Sequence, residues 1–324
     1  MLSLHQALSG MGDSTIVELP FVRYRFEFSV TASMMLPEYA GSAIRGAFGR
    51  ALRRTACMTH QSECKMCPLY RSCPYTRLFE TPPPEQHALQ KFSQIPSAYV
   101  IEPPDWGRKL YEPQEKVAFS LILCGHSLND LPLVIYSIQK AFERNVGHGR
   151  AELESVTALY GQEESCIYTV DSHTVMEHKK TTVVSVPKDD SLSIYLETPM
   201  RLQNNGIPLG PEDVTVHAFF STLLRRISLL LEFQASAPLE LDFSSVIHSM
   251  DSVQLEKNLR WKDWTRYSTR QNQKMSLGGV VGEMNFQGLT AICKLLLLAG
   301  TFSHVGKNAS FGLGKYSIQQ GQKD

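Results

Sequence analysis

The chain has 324 residues, 43% hydrophobic and 20% charged, which suits two domains of ordinary size and excludes a disordered or collagen-like chain. Its 32 lysines and arginines cancel 32 aspartates and glutamates. A polyanionic partner must therefore be held by local clusters rather than by a whole-molecule field.

The stretch Met1 to Met11 lacks a basic start and carries His5 and Gln6 inside its apolar run, a poor secretory signal. From Phe21 to Val30 the pattern alternates, with Val22, Tyr24, Phe26, Phe28 and Val30 on one face and Arg23, Arg25, Glu27 and Ser29 on the other. A half-buried strand is predicted. After Pro37, Ala40 to Arg54 places Ala43, Ile44, Ala47, Phe48, Ala51 and Leu52 at helical spacing, with Arg45, Arg50 and Arg53 on the opposite side.

Four of the seven cysteines follow as Cys57-x6-Cys64-x2-Cys67-x5-Cys73. Clustered thiols in a reducing compartment point to a metal rather than to disulfides. The central pair offers two thiolates from one tight turn, and the outer two can close a tetrahedral site. Structural zinc is the leading reading, with a four-cysteine iron–sulfur cluster as the alternative. Such a closed site holds a loop and has no open position for catalysis.

A proline-dense loop with Pro82, Pro83, Pro84, Pro96, Pro103 and Pro104 comes next. Then the pattern predicts a strand at Val117 to Leu123, a helix at Leu131 to Arg144 and a strand at Arg150 to Val156. The polar stretch Glu163 to Asp190, with a short strand at Thr181 to Val186, is the candidate boundary. This gives domains of 1–162 and 191–324 with 163–190 as linker or first strand. The second half opens with a strand at Ser191 to Glu197, stopped by Thr198 and Pro199. Gly210, Pro211, Glu212 and Asp213 are expected to cap a helix bearing Val216, Phe219, Phe220, Leu223, Leu224, Ile227, Leu230 and Leu231. Strands are predicted at Leu239 to Phe243, Gly279 to Phe286 and Lys315 to Ile318. A buried helix is predicted at Leu289 to Leu298. The most apolar stretch, Ala291 to Phe302, is interrupted by Lys294 and falls well short of the roughly 20 residues of a membrane span. A cytoplasmic location is expected.

Both halves read strand, helix, strands, helix, strand, with Gly147-His148-Gly149-Arg150 answering Gly312-Leu313-Gly314-Lys315. The expectation is an α+β chain of two tandem ferredoxin-like, RRM-related domains, with a four-cysteine metal-binding insertion in the first.

Two local basic patches stand out in the neutral chain. Arg260 to Lys274 interleaves Arg260, Lys262, Arg266, Arg270 and Lys274 with Trp261, Trp264 and Tyr267, and Arg45 to Arg77 holds one acid, Glu63. Cations beside rings and amides suit RNA. Both tryptophans are read as core anchors. In Phe302 to Tyr316, Gly306, Gly312 and Gly314 let backbone approach a phosphate, and Lys307 and Lys315 add charge. The Gly-Lys pair lacks the following hydroxyl residue of a nucleotide-triphosphatase loop.

Taken together, Ile44-Arg45-Gly46-Ala47-Phe48-Gly49-Arg50-Ala51-Leu52, Cys73-Pro74-Tyr75, Leu78-Phe79-Glu80, Gly147 to Arg150, Thr198 to Leu202, Trp261 to Met275, Gly278-Gly279 and His304 to Tyr316 resemble the CRISPR precursor-RNA-processing endoribonucleases of the RAMP superfamily. The resemblance implies a glycine-rich loop at the domain interface and cleavage of CRISPR repeat RNA without a catalytic metal. It also implies product handed to an effector complex. The nucleophile is the RNA's own 2′-hydroxyl, the products a 2′,3′-cyclic phosphate or 3′-phosphate and a 5′-hydroxyl. Relatives place a tyrosine and a histidine near the first helix. Tyr39 matches the tyrosine, but Ala40 to Arg54 holds no histidine and His60 is the nearest. His304 beside Lys307 is the rival acid or base. RNA contacts are expected from Arg45, Arg50, Arg53, Arg150, Arg266, Arg270, Lys274, Gly306, Gly312, Gly314 and Lys315. The missing histidine leaves open a catalytically inactive repeat-RNA-binding subunit.

Overall fold

Alternation of Tyr24, Phe26 and Phe28 with arginines and a glutamate produces the central strand of the first unit in the computed structural model, which describes residues 1–10, 15–83, 95–107, 109–268 and 273–319. That strand, β1 (Phe21–Ala32), is followed by helix α1 (Gly41–Ala56), β2 (Tyr99–Glu102), β3 (Lys116–Cys124), α2 (Leu131–Arg144), β4 (Arg150–Tyr160) and β5 (Glu163–Thr169). The sheet runs β2-β3-β1-β4-β5, every pair antiparallel.

Phe26 stacks on Phe119 at 5.3 Å between centroids, and Phe28 on Phe142 of α2 at 4.1 Å. Ile44, Ala47, Phe48, Ala51 and Leu52 of α1 join the same buried cluster. Each fully buried ring or aliphatic side chain contributes roughly 1.5–3 kcal/mol, so the alternating strand and the two helical stripes specify this layer. The opposite face of β1 is held by ion pairs: Arg23 donates to both Glu102 oxygens at 2.8 and 3.2 Å, and Arg25 to both Glu164 oxygens at 3.0 and 2.8 Å.

The second unit contains β6 (Leu192–Met200), α3 (Val216–Ala235), β7 (Gln254–Lys262), the hairpin β8 (Thr265–Ser268) and β9 (Gln273–Ser276), β10 (Gly279–Gln287), α4 (Ala291–Ser303) and β11 (Tyr316–Gln319). Its sheet runs β7-β10-β6-β11, again antiparallel throughout. Leaving aside β5 and the hairpin, the two units share one element order and one strand order. Phe219 and Phe220 pack on Phe286 at 5.6 and 5.2 Å, and the buried Tyr316 hydroxyl donates to the Leu297 carbonyl at 2.7 Å. Among the described residues no helix is long and apolar enough to cross a membrane.

Several boundaries differ from expectation. The first unit comprises 20–182 with 232–236, so β5 completes its sheet rather than forming a linker, and residues 1–19 belong to the second unit. There Ile16–Leu19 lies in a three-stranded sheet between Leu2–Ser3 and Thr182–Ser185. Pro199 does not stop β6, because a register irregularity between Leu196 and Met200 accommodates it. Gly210 and Asp213 close a turn, and Thr215 caps α3 by accepting from the Ala218 amide at 3.1 Å. Leu239 to Phe243 is not a strand: Asp242 accepts from the Ser244 amide and opens the short helix Phe243–His248.

Candidate nucleic-acid interface

In the second unit, residues 198–201 brace the glycine-rich stretch. Thr198 Oγ1 donates to the Gly312 carbonyl at 2.8 Å and accepts from the Lys315 amide at 2.9 Å. The Gly314 amide donates to the Pro199 carbonyl at 3.0 Å, the Lys307 amide to the Arg201 carbonyl at 2.9 Å and the Val305 amide to the Gly314 carbonyl at 3.1 Å. Gly312 and Gly314 are buried, and their amides are committed to Ala309 and Pro199. The expectation that these two amides meet a phosphate is therefore corrected. They build a tight internal turn, and what the stretch exposes is the Lys307 side chain, beside a half-buried Gly306 and Asn308.

Lys315 pairs with Glu197 at 2.9 Å. Arg201, part of the Thr198 to Leu202 stretch but not among the expected RNA contacts, donates to the Gly278 carbonyl at 2.7 Å. Trp264 is buried edge-on to Phe311 at 6.4 Å, the core anchor expected. Trp261 departs from that reading: it is 36% exposed, with its indole N–H on Asp263 Oδ1 at 2.7 Å. Arg266 and Lys274 lie in the β8–β9 hairpin, paired across it one step apart, Arg266 with Met275 and Lys274 with Tyr267. Arg270 lies outside the described residues. His304 is fully buried at the C-cap of α4 with φ +58°.

In the first unit, the arginines of α1 divide. The Arg45 guanidinium sits over Phe79 at 4.5 Å, and Arg53 donates to the Gln61 and Ser62 carbonyls at 2.6 and 2.9 Å. Both secure the segment after the helix. Arg50 and Arg54 face solvent, as does Arg144 at the end of α2. Partial desolvation and the neighbouring Arg144 and Arg50 charges lower the Arg54 pKa, the signature of cations gathered without a balancing acid. Arg54 and Arg144 were not among the expected contacts. Their separation in sequence hid them; only α1 lying beside α2 brings them together.

Tyr39 is buried, its ring 4.6 Å from that of Trp106, and burial, then Glu102, raises its pKa well above the ordinary tyrosine value. His60 is exposed with φ +53°. Arg150 is exposed at the start of β4. The first-half glycine turn is braced as the second is: the Met35 amide donates to the Gly147 carbonyl at 2.8 Å, and a β-carbon on Gly147, at φ +61°, would lie 2.5 Å from the Met35 carbonyl oxygen.

Cys57, Cys64, Cys67 and Cys73 are free thiols lining one small pocket with Thr59 and Tyr70. Among the described residues no group of three or more histidine, cysteine or carboxylate side chains stands ready to hold a metal. Desolvation raises the Cys57 thiol, but the His60 and Thr59 amides and the Thr59 hydroxyl outweigh it and leave its pKa lowered.

Comparison with known proteins agrees with this division. A family model described as an N-terminal domain matches residues 19–183, and the model for CRISPR-associated endoribonuclease Cas6 matches residues 194–316. No curated protein matches in sequence. Among solved structures, a Thermus thermophilus Cas6 product complex is 14% identical, covering 92% of this chain and 100% of that one at a TM-score of 0.56. A Cas6-related protein from Pyrococcus furiosus is 11% identical over 93% and 100%, at 0.50. A chain of a partial Cas6-RT-Cas1–Cas2 complex is 13% identical at 0.54, and this chain covers 46% of its length. Such identities establish likeness of fold. Residues 194–316, with the braced glycine turn inside them, thus match the CRISPR-associated endoribonuclease Cas6 family, and residues 19–183 match the separate N-terminal domain model.

Proposed function

We propose that the chain is an endoribonuclease that cuts CRISPR repeat RNA, its two β-α-β-β-α-β units acting as paired ferredoxin-like domains. The observation that carries this reading is the braced turn within residues 194–316, which offers Lys307 as an exposed cation on a rigid support. RNA brings its own nucleophile, so no metal is needed to generate one. The 2′-oxygen attacks the adjacent phosphorus as its proton passes to a base. The bond to the 5′-oxygen breaks, leaving a 2′,3′-cyclic phosphate, and an acid protonates the departing oxygen. The protein's tasks are alignment, proton transfer and stabilisation of phosphorane charge.

Lys307 is the group proposed to meet that charge, with Lys315 and Arg201 supporting the same turn. Arg50, Arg54 and Arg144 are proposed to bind backbone phosphates elsewhere along the RNA, as is Arg150. Of the proton carriers, His60 is exposed, whereas Tyr39 and His304 are buried and act only if RNA binding uncovers them. That burial favours a second reading, a repeat-RNA-binding subunit that cuts nothing. On either reading the proposed partners are repeat RNA, its processed product and the subunits that receive it.

One assay separates the two. The protein is incubated in EDTA with its repeat RNA, alongside the same RNA carrying one 2′-deoxy nucleotide at the cut position. Cleavage of the first alone supports the nuclease. Binding of both without cleavage supports the subunit, and cleavage of the deoxy RNA removes the proposed nucleophile.

A further inference from the structure

Residues 57–74 contain no buried side chain. Their larger apolar groups point outward, Met58 and Met66 being 82% and 77% exposed. The backbone forms only local turns, with the Cys67 amide on the Cys64 carbonyl at 3.0 Å, the Tyr70 amide on Cys67 at 2.9 Å and the Cys73 amide on Leu69 at 2.8 Å. A stretch this long in which only Cys64 and Cys73 pack, partly buried, against the hydrophobic core has little to offset its ordering entropy and calls for a cross-link.

What the segment does turn inward is sulfur. All four cysteines line the same pocket, Cys64 lies within electrostatic range of both Cys57 and Cys73, and Thr59 Oγ1 stands 3.2 Å from Cys67 Sγ. Arg53, which holds the Gln61 and Ser62 carbonyls, is a compensating cation within electrostatic range of Cys64.

From these contacts we infer that Cys57, Cys64, Cys67 and Cys73 form a tetrathiolate site for one structural zinc ion, which draws the turns together and serves as the core that residues 57–74 lack. In such a site each sulfur lies about 2.3 Å from the ion. The inference is independent of the proposed nuclease activity.

The test uses the full chain, stripped of metal by a chelator under reducing conditions and titrated with cobalt(II). The expected result is one cobalt per chain, with sulfur-to-cobalt charge-transfer bands and the intense visible bands of a tetrahedral thiolate site, both removed by zinc. Bound zinc is also expected to slow tryptic cleavage after Lys65 and Arg71 by about tenfold or more. The C64S/C67S variant should lose both effects. A titration without tetrahedral thiolate bands overturns the proposal, as does a purified protein carrying iron, inorganic sulfide and a brown chromophore. The wild-type titration stands even if the variant does not fold.

Discussion

A β-carbon at position 314 would lie 1.8 Å from the Val305 carbonyl oxygen, on a backbone with φ +70°. Gly314→Ala is therefore expected to destabilise the second unit by more than about 1–3 kcal/mol, read as a lower urea midpoint at unchanged slope. A wild-type midpoint would show that the turn is free to shift. Burial also predicts an alkaline limit. Tyr39 and Tyr316 are raised well above 10.0, Tyr99 is raised likewise, and Tyr75 is pushed up to about 12, in each case first by desolvation. The folded chain keeps these protons after the unfolded chain has released them. Their stabilising contribution is complete below the ordinary tyrosine value and falls as pH rises above it, so urea midpoints should drop between about pH 9 and about pH 11. Equal midpoints would mean the phenols titrate in the folded state. Such behaviour was only partly legible in the sequence: a tyrosine near the first helix could be named, but its burial against Trp106 depends on a residue far along the chain.

Elements with strong periodicity were the readable ones. The helix Leu131–Arg144 was predicted with its observed bounds, because its apolar stripe, first-turn proline and Asn145 agree. Strand β7 was missed, since its charged residues resemble a solvated basic patch and its burial alternates only weakly. That strand bears on where the proposed RNA lies. Tyr195 on β6 pairs with Glu283, and Glu283 with Asn258, while Glu256 pairs with Asn285 one step along. The sheet face carrying the 41%-exposed Tyr195 thus holds Glu283 and Glu256 together with Arg260, a mixed rather than a basic surface for a phosphate backbone. On α1, Arg54 joins unopposed cations. Arg54→Ala should weaken RNA binding and reduce the salt-dependence slope by about 1, whereas Tyr195→Ala should alter neither in a salt titration of binding. A reversed outcome would place the RNA on the sheet.

The duplication was visible from the matching order of elements and the two glycine turns, and the common strand order of the two units accounts for both signals. The affiliation of residues 1–19 was not visible, because short strands joining a distant partner leave no local pattern. The proposed proton carriers were hardest to read, since composition and spacing do not say which histidine faces water. Lys307 is different in kind. The amides of Val305, Lys307, Gly312, Gly314 and Lys315 around it are tied down, so in the proposed contact the exposed tip, rather than these amides, meets the ligand. Under the proposed RNA contact, residues 307 and 308 can be exchanged to suit a different RNA while the turn beneath keeps its shape, and the exposed His148, at the tip of the first unit's braced turn, is a second position open to the same kind of change.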